Sequence, residues 1–251
     1  MFRSFFGPAL LLAYAVFSFL APPAGAADTL TPAQKEAVER VVHDYILAHP
    51  EVMVEAIRAA QAKAKEKKEE SAKHAIIERR TELLRDASAP VAGNPEGDVT
   101  IVEFFDYRCP YCKQVEPHLA ALLKEDPKLR IVYKEFPVLG PESVFASRMA
   151  LAAHKQGKYA IFHDAMMTAK GNVTEETVLS VARSVGIDVA RAKTDMTAPD
   201  IQEIIKRNYA LADALDIQGT PAFIVGDTLV PGATDLDSLR RLVAEARKTS
   251  G

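Results

Sequence analysis

Cysteine is scarce in this 251-residue chain: there are two, and both lie in Cys109-Pro110-Tyr111-Cys112. That excludes a small disulfide-stapled scaffold, which needs more cysteines spread more widely. It also excludes an ordinary zinc site, because the usual ligand count is larger and there is no second CxxC and no HxxxH. His118 alone is a weak partner for the pair, and the histidines at 43, 49, 74, 118, 154 and 163 show no ligand spacing. A surplus of positive charge is lacking too. The formal net charge is -3, so no case for nucleic-acid binding arises. Proline and glycine are both absent between Pro50 and Pro90.

Long apolar runs are missing everywhere except at the start. Met1-Phe2-Arg3 is a short positive beginning, Phe5 to Leu20 is apolar, and Ala24-Gly25-Ala26 is an A-x-A cleavage site. Residues 1–26 are therefore expected to be a secretory signal peptide, with the mature chain beginning at Ala27 in the periplasm. The competing reading is an uncleaved anchor, which usually needs about 20 apolar residues. This run is shorter and meets Pro22 and Pro23 at once. In an exported protein, a lone CxxC points to redox chemistry.

The Pro- and Gly-free stretch is rich in Ala, Lys, Glu, Arg and Gln, the composition of a long helix. Thr31-Pro32-Ala33-Gln34 resembles a capping box opening a shorter helix that carries Val38, Val41, Val42, Tyr45 and Ile46. His49-Pro50 should separate the two. In the second helix Met53, Ile57, Ala60 and Ala64 fall at alternating four- and three-residue steps, a short coiled-coil seam that weakens at Lys67 and Ser71. The preferred reading of residues 27–86 is a helical oligomerisation arm, because its apolar stripes have to be buried somewhere. The alternative is a solvated helix packed on its own domain.

Asp86 to Asp98 is turn-rich and reads as the boundary of a second domain, 87–251. Val99 to Phe105 is a buried strand running into the CxxC, at the head of a helix reaching about Lys124. Leu129 to Phe136 is a second strand. Residues 141–215 turn helical, with Thr174 and Asp188 as N-caps. A strand at Ala222 to Val225, a turn at Gly226-Asp227, a strand at Leu229-Val230 and an amphipathic helix from about Asp235 to Lys248 follow. The fold class is α/β: a thioredoxin fold with an inserted helical subdomain, preceded by the helical arm.

Thiol–disulfide exchange needs a thiolate, an accessible sulfur and a second thiol within reach. Cys109 at a helix start meets unpaired N–H groups and the helix dipole, which lower its pKa from about 8.5 toward the 3.5 to 7 range. Arg108 is a candidate positive neighbour. Cys112, one turn further in, would be more buried and would resolve the intermediate. A structural two-cysteine link is the bland alternative. Met149, Phe162, Met166 and Met167 read as core rather than as a metal-binding stripe.

Glu103 to Cys112, together with Gly219-Thr220-Pro221-Ala222-Phe223, resembles the DsbA-like branch of thioredoxin-fold proteins over about residues 88–248. With the arm included, the chain resembles more narrowly the ScsC (suppressor of copper sensitivity C) proteins, some of which are trimeric disulfide isomerases. The resemblance implies that Pro221 is cis and faces the cysteines, with the Thr220 backbone open to an extended client segment. An ordinary trans turn is the alternative. It also implies that Glu103 is the buried acid that shuttles a proton to or from Cys112, with a raised pKa. A strand-end Glu pointing to solvent is the alternative there. Asp106 and Lys134 are fainter candidates. Tyr111 stands where the strongly oxidising DsbA proteins have histidine, which implies a less oxidising disulfide. Pro117 matches the helix kink of thioredoxins or marks an early helix end.

Three functions follow as expectations. The first is a disulfide isomerase or oxidoreductase for exported proteins with cysteines, served by a membrane thiol–disulfide reductase or oxidase, needing no cofactor and assembling as a homo-oligomer, with a trimer favoured. The second is Cu(I) binding between Cys109 and Cys112, since soft thiolates suit Cu(I). The third is a monomeric DsbA-like oxidase.

Overall fold

The computed structural model describes residues 30–249, so the expected signal peptide lies outside the described residues. Among those described, no helix is long and apolar enough to cross a membrane. The chain divides into two compact units, one ending at Ala60 and one beginning at Gln61.

The first unit holds helix α1 (Pro32–Ala48) and the start of α2 (Pro50–Glu78). Thr31 closes the expected capping box: its hydroxyl accepts from the Gln34 N–H, and the Gln34 side chain accepts from the Thr31 N–H. No residue of α1 is buried. Val38, Val41, Val42, Tyr45, Met53 and Ile57 all stand exposed.

The second unit takes the remainder of α2, the short α3 (Arg80–Leu84), and a five-stranded sheet with its helices. The sheet comprises β1 (Val91–Gly93), β2 (Val99–Phe105), β3 (Leu129–Glu135), β4 (Ala222–Val225) and β5 (Thr228–Pro231), in the order β1-β3-β2-β4-β5. β2 and β3 run parallel through α4 (Pro110–Glu125), while β1, β4 and β5 join antiparallel. Between β3 and β4 comes the helical subdomain, α5 (Pro141–Lys155), α6 (Tyr159–Thr168), α7 (Glu175–Ser184), α8 (Val189–Asp195) and α9 (Pro199–Ala214). Helix α10 (Leu236–Thr249) ends the fold. Thr174 and Asp188 cap α7 and α8 as expected.

Side chains alternate across each strand, so the sheet separates two cores. Ile101 and Phe105 of β2, Ile131 and Tyr133 of β3 and Phe223 of β4 face α4, α6 and α10 in the larger core, which also takes Met149, Phe162, Met166 and Met167. Val102, Phe104, Val132 and Ile224 face the other way and pack with Ile76, Leu83, Leu211 and Leu215.

Three expectations need correction. The long helix is interrupted at Arg79, although no Pro or Gly breaks it. Ile76 before the break and Leu83 after it are each 1% exposed, so tertiary burial sets the interruption. For the same reason the compact unit begins at Gln61 rather than at Ala87: Ile76 and Leu83 belong to the core on the Val102 face. The turn-rich boundary also holds an edge strand, β1, which the turn residues on either side concealed. It stops at Gly93, whose φ is +76° and whose missing Cβ would lie 2.5 Å from the Leu129 carbonyl oxygen.

Candidate active site

Strand β2 delivers the chain to a turn, Asp106-Tyr107-Arg108, that sets the entry to α4. The Asp106 carbonyl accepts from the Cys109 N–H at 3.0 Å. Its buried carboxylate accepts from the Arg108 N–H (2.8 Å), the Ser143 hydroxyl (2.7 Å) and the Leu139 N–H (3.0 Å). Asp106 is thus a structural knot tying the cysteine turn to the segment after β3. Lys134 lies on the opposite face, 1% exposed, donating to Asp86 at 2.8 Å. Arg108 is not a partner of the sulfur. Its guanidinium donates to Glu142 at 2.9 Å and to the Leu139 carbonyl.

Cys109 is the N-cap of α4 and Pro110 its first residue. A Pro there has no N–H to leave unpaired. Both cysteines are free thiols. The Cys109 thiol is lowered to about 5 by a hydrogen bond from Cys112, which outweighs burial, with help from Thr220 and the N–H groups of Cys112 and Tyr111. Cys112 moves the other way: burial, the bond to Cys109 and the nearby Glu103 all raise it. The two thiols are therefore separated into a ready thiolate and a reserve thiol. The expected accessible sulfur is narrower than the motif implied, since Cys109 is only 4% exposed while Cys112 is fully buried.

The Thr220–Pro221 peptide is cis. Across the site, the protonated Cys109 Sγ donates to the Thr220 carbonyl at 3.2 Å. Once Cys109 ionises, that oxygen offers it nothing, and the Thr220 side chain supplies the favourable contact instead. Residues 109 and 112 thus meet residue 220, more than a hundred positions away in sequence.

Glu103 pairs with Tyr133 on β3 and Phe223 on β4, in the middle of the sheet. It is fully buried, and neither carboxylate oxygen has a hydrogen-bond partner. Burial raises its pKa well above the carboxylate range, and Glu116, Glu135 and Cys109 push it further. The solvent-facing alternative is excluded. Pro117 sits inside α4, which continues to Glu125, so it does not end the helix. His118 faces the Thr234 carbonyl at 3.2 Å. Among the described residues, no three His, Cys, Asp or Glu side chains are grouped to hold a metal.

Sequence reasoning missed a buried polar network next to the pair, made of Glu116, His163, Tyr107, Glu135, Tyr159 and Ser147. Its members come from α4, α6, the turn, β3 and α5, at spacings with no periodic signature. The one available signal was a Glu within each of the buried runs Val99–Phe105 and Leu129–Glu135.

The DSBA-like thioredoxin domain description matches residues 100–244, which includes the whole of this site. The chain belongs to the DsbA-like thioredoxin family. The description of the copper resistance protein ScsC N-terminal domain matches residues 34–67 of this DsbA-like chain. Among solved structures, it is similar to a thioredoxin-like oxidoreductase from Silicibacter pomeroyi, at 49% identity and TM-score 0.66, covering 67% of this chain and 98% of that one. It is also similar to Proteus mirabilis ScsC in a transitional conformation, at 30% identity and TM-score 0.65, covering 88% of this chain and all of that one. A curated relative, the Na(+)/H(+) antiporter NhaA 1 of Salinispora arenicola, is 29% identical over 158 residues, or 62% of this chain; the DsbA-like chain spans 24% of that protein's length.

Proposed function

We propose that this chain is a periplasmic disulfide isomerase for exported proteins, working through a Cys109 mixed disulfide. The observation that carries the reading is the lowered Cys109 thiol at the head of α4, 3.2 Å from the Thr220 carbonyl and next to a reserve thiol. The Cys109 thiolate attacks a client disulfide, forming one S–S bond and releasing one client thiolate. That thiolate, or another in the client, then attacks the client sulfur bonded to Cys109; Cys109 leaves as thiolate and the client is reshuffled with no net electron transfer. If the client stalls, Glu103, once it has released its own proton, takes the proton of Cys112, which attacks Cys109 and expels the client reduced. The chain is then oxidised, and a membrane thiol–disulfide reductase has to restore it. The Thr220–Pro221 segment offers its backbone to an extended client strand. Periplasmic location is supported by the leader-like pattern of residues 1–26.

Isomerisation rather than oxidation is supported by the N-terminal unit. Its apolar side chains stand exposed among the described residues, and a homotrimer through them would present several cysteine pairs to one misfolded client. The test is reactivation of a scrambled multi-disulfide substrate by the mature chain, with its mass measured by light scattering. Reactivation by a trimer supports the reading. A monomer that oxidises reduced peptides without reactivating scrambled ones makes it a DsbA-like oxidase.

Cu(I) binding is a second reading, favoured by the hydrogen-bonded proximity of the two free thiols. Their donor chemistry fits a soft monovalent ion held by two sulfurs. Cys109 and Cys112 would hold it, with no third protein ligand grouped beside them among the described residues. Retention of copper by the reduced chain against a strong chelator supports this role, and loss of the metal removes it.

A further inference from the structure

Arg148 of α5 is half-buried, yet its guanidinium makes no ion pair and no hydrogen bond among the described residues, and its Nε is buried without an acceptor. A buried donor left without an acceptor is costly, so such a group calls for an occupant. Two hollows share Arg148 as a wall. One, of about 290 Å³, lies between α5, α7 and α8, where Phe145, Leu179 and Met196 make it apolar. The other, of about 590 Å³, lies between α5 and α9 and is lined by Val144, Ile205 and Tyr209. Across both, the cations Arg148, Lys193 and Lys206 stand against Glu175 and Glu203, and Glu203 is already paired with Lys206 at 3.7 Å. The groove is thus apolar along its walls and cationic at Arg148.

The larger hollow begins beside the cysteine turn. Ser143, next to Val144, donates to Asp106 at 2.7 Å, and the Tyr209 hydroxyl donates to the Pro137 carbonyl. Val138 and Leu139 stand exposed between these two ties, and Arg108 holds the Leu139 carbonyl. An apolar path therefore leads from the cysteine turn over Leu139 and Val144 to Arg148.

We propose that this groove is a second contact site for the client, in which Arg148 selects segments carrying an acidic side chain a few residues from the cysteine that exchanges. This rests on the reading of Cys109 and Cys112 as an exchange pair. The groups at the cysteines do not tell one client from another: Cys109 reads a sulfur, and the Thr220–Pro221 segment reads a backbone. Selection by side chain needs a further contact. Apolar residues of the client cover Leu139, Val144 and Tyr209, and its carboxylate meets the guanidinium as a forked, charge-assisted pair. Arg148 lies one and a half turns beyond Ser143, about 7 Å along the helix axis. With the cysteine turn to cross as well, and about 3.3 Å gained per residue of extended chain, the acid falls roughly four to seven residues from the client cysteine.

The test uses the reduced full chain and a ladder of peptides of one composition, each with a single cysteine blocked as its thionitrobenzoate disulfide. One Glu is moved stepwise along them, roughly two to nine positions from the cysteine on either side. The Cys109 thiolate attacks the peptide sulfur; one S–S bond forms, the blocked one breaks, and thionitrobenzoate leaves with the electron pair, one coloured ion per adduct. Constant composition keeps the peptide charge fixed, so long-range steering is the same throughout the ladder. Attack is expected to be about tenfold faster with Glu roughly four to seven positions away than with Glu at the ends of the ladder. In Arg148→Gln that ratio is expected to fall to about one, and in Arg148→Glu the same peak is expected from peptides with Lys in place of Glu. If Arg148→Gln fails to fold, the wild-type ladder decides alone. Equal wild-type rates at every position leave the groove to another occupant, a second copy of the chain or a small free anion, and overturn the assignment. A natively folded Arg148→Gln that keeps the peak overturns it too. A wild-type chain that releases no thionitrobenzoate from any peptide overturns the exchange reading instead.

Discussion

At the scale of residues, the site works by moving two thiols and one carboxyl in opposite directions from their ordinary values. Glu103 has no hydrogen-bond partner and no water-facing edge, so its natural state near neutral pH is the acid. It is placed to take the Cys112 proton only after releasing its own, which the mixed disulfide favours because the Cys109 charge that helped raise it is gone. Glu103→Gln should form the mixed disulfide at the wild-type rate and resolve it more slowly, by roughly 10 to 100-fold, within the range of general acid–base effects. Quenched-flow mass spectrometry with a disulfide peptide would see the adduct accumulate, and equal adduct lifetimes would defeat the role. Glu135 gives a stability prediction. Its folded value of about 8 lies above its unfolded one, so the folded state binds the extra proton, and stability is full below the unfolded value and lost as pH rises toward 8. The loss is about 1.4 kcal/mol for each pH unit traversed. Thermal melts from pH 5 to 8 should therefore fall in the wild type and fall less in Glu135→Gln.

At the scale of elements, legibility followed locality. Helix caps at Thr31, Thr174 and Asp188 were readable because each is a local bond between a side chain and an N–H three residues on. β2, α4 and the cysteine pair were readable because a buried strand and a CxxC lie next to each other in the sequence. β1 was not, because the three residues from Val91 to Gly93 acquire strand character only by pairing with β3. The Arg79 break and the His163 network were not, since both depend on partners far away in the chain. Lys134 shows the same limit: a faint candidate for the proton role in the sequence, it pairs instead with Asp86, 48 residues earlier and just beyond α3. Desolvation lowers the Lys134 pKa even though Asp86 opposes it, so the lysine relies on its partner to remain charged. Asp86→Ala should cost about 3 to 5 kcal/mol by stranding it, whereas Lys134→Met should cost much less. Urea titrations of the two variants would check the asymmetry, and equal losses would contradict it.

At the scale of the whole molecule, thiol exchange by the second unit is to be separated from the proposed reshuffling, which would need the first. A cut is informative only where it leaves the second core whole. Removing residues up to Ala87 deletes Ile76 and Leu83, both 1% exposed in the core with Val102 and Phe104. Losing each buried aliphatic side chain costs about 2 to 5 kcal/mol, comparable to the stability of an ordinary domain. A chain starting at Ala87 should thus melt early, and its failure to reshuffle disulfides would say nothing about oligomers. A chain starting at Gln61 keeps the compact unit intact and removes α1 together with Met53 and Ile57. It is expected to melt like the full chain, run as a monomer, oxidise or reduce peptides at the full-length rate per cysteine pair, and fail on scrambled substrate. If it reactivates scrambled substrate as well as the full chain does, the exposed apolar residues of the first unit serve something other than isomerisation, and the oxidase reading takes its place.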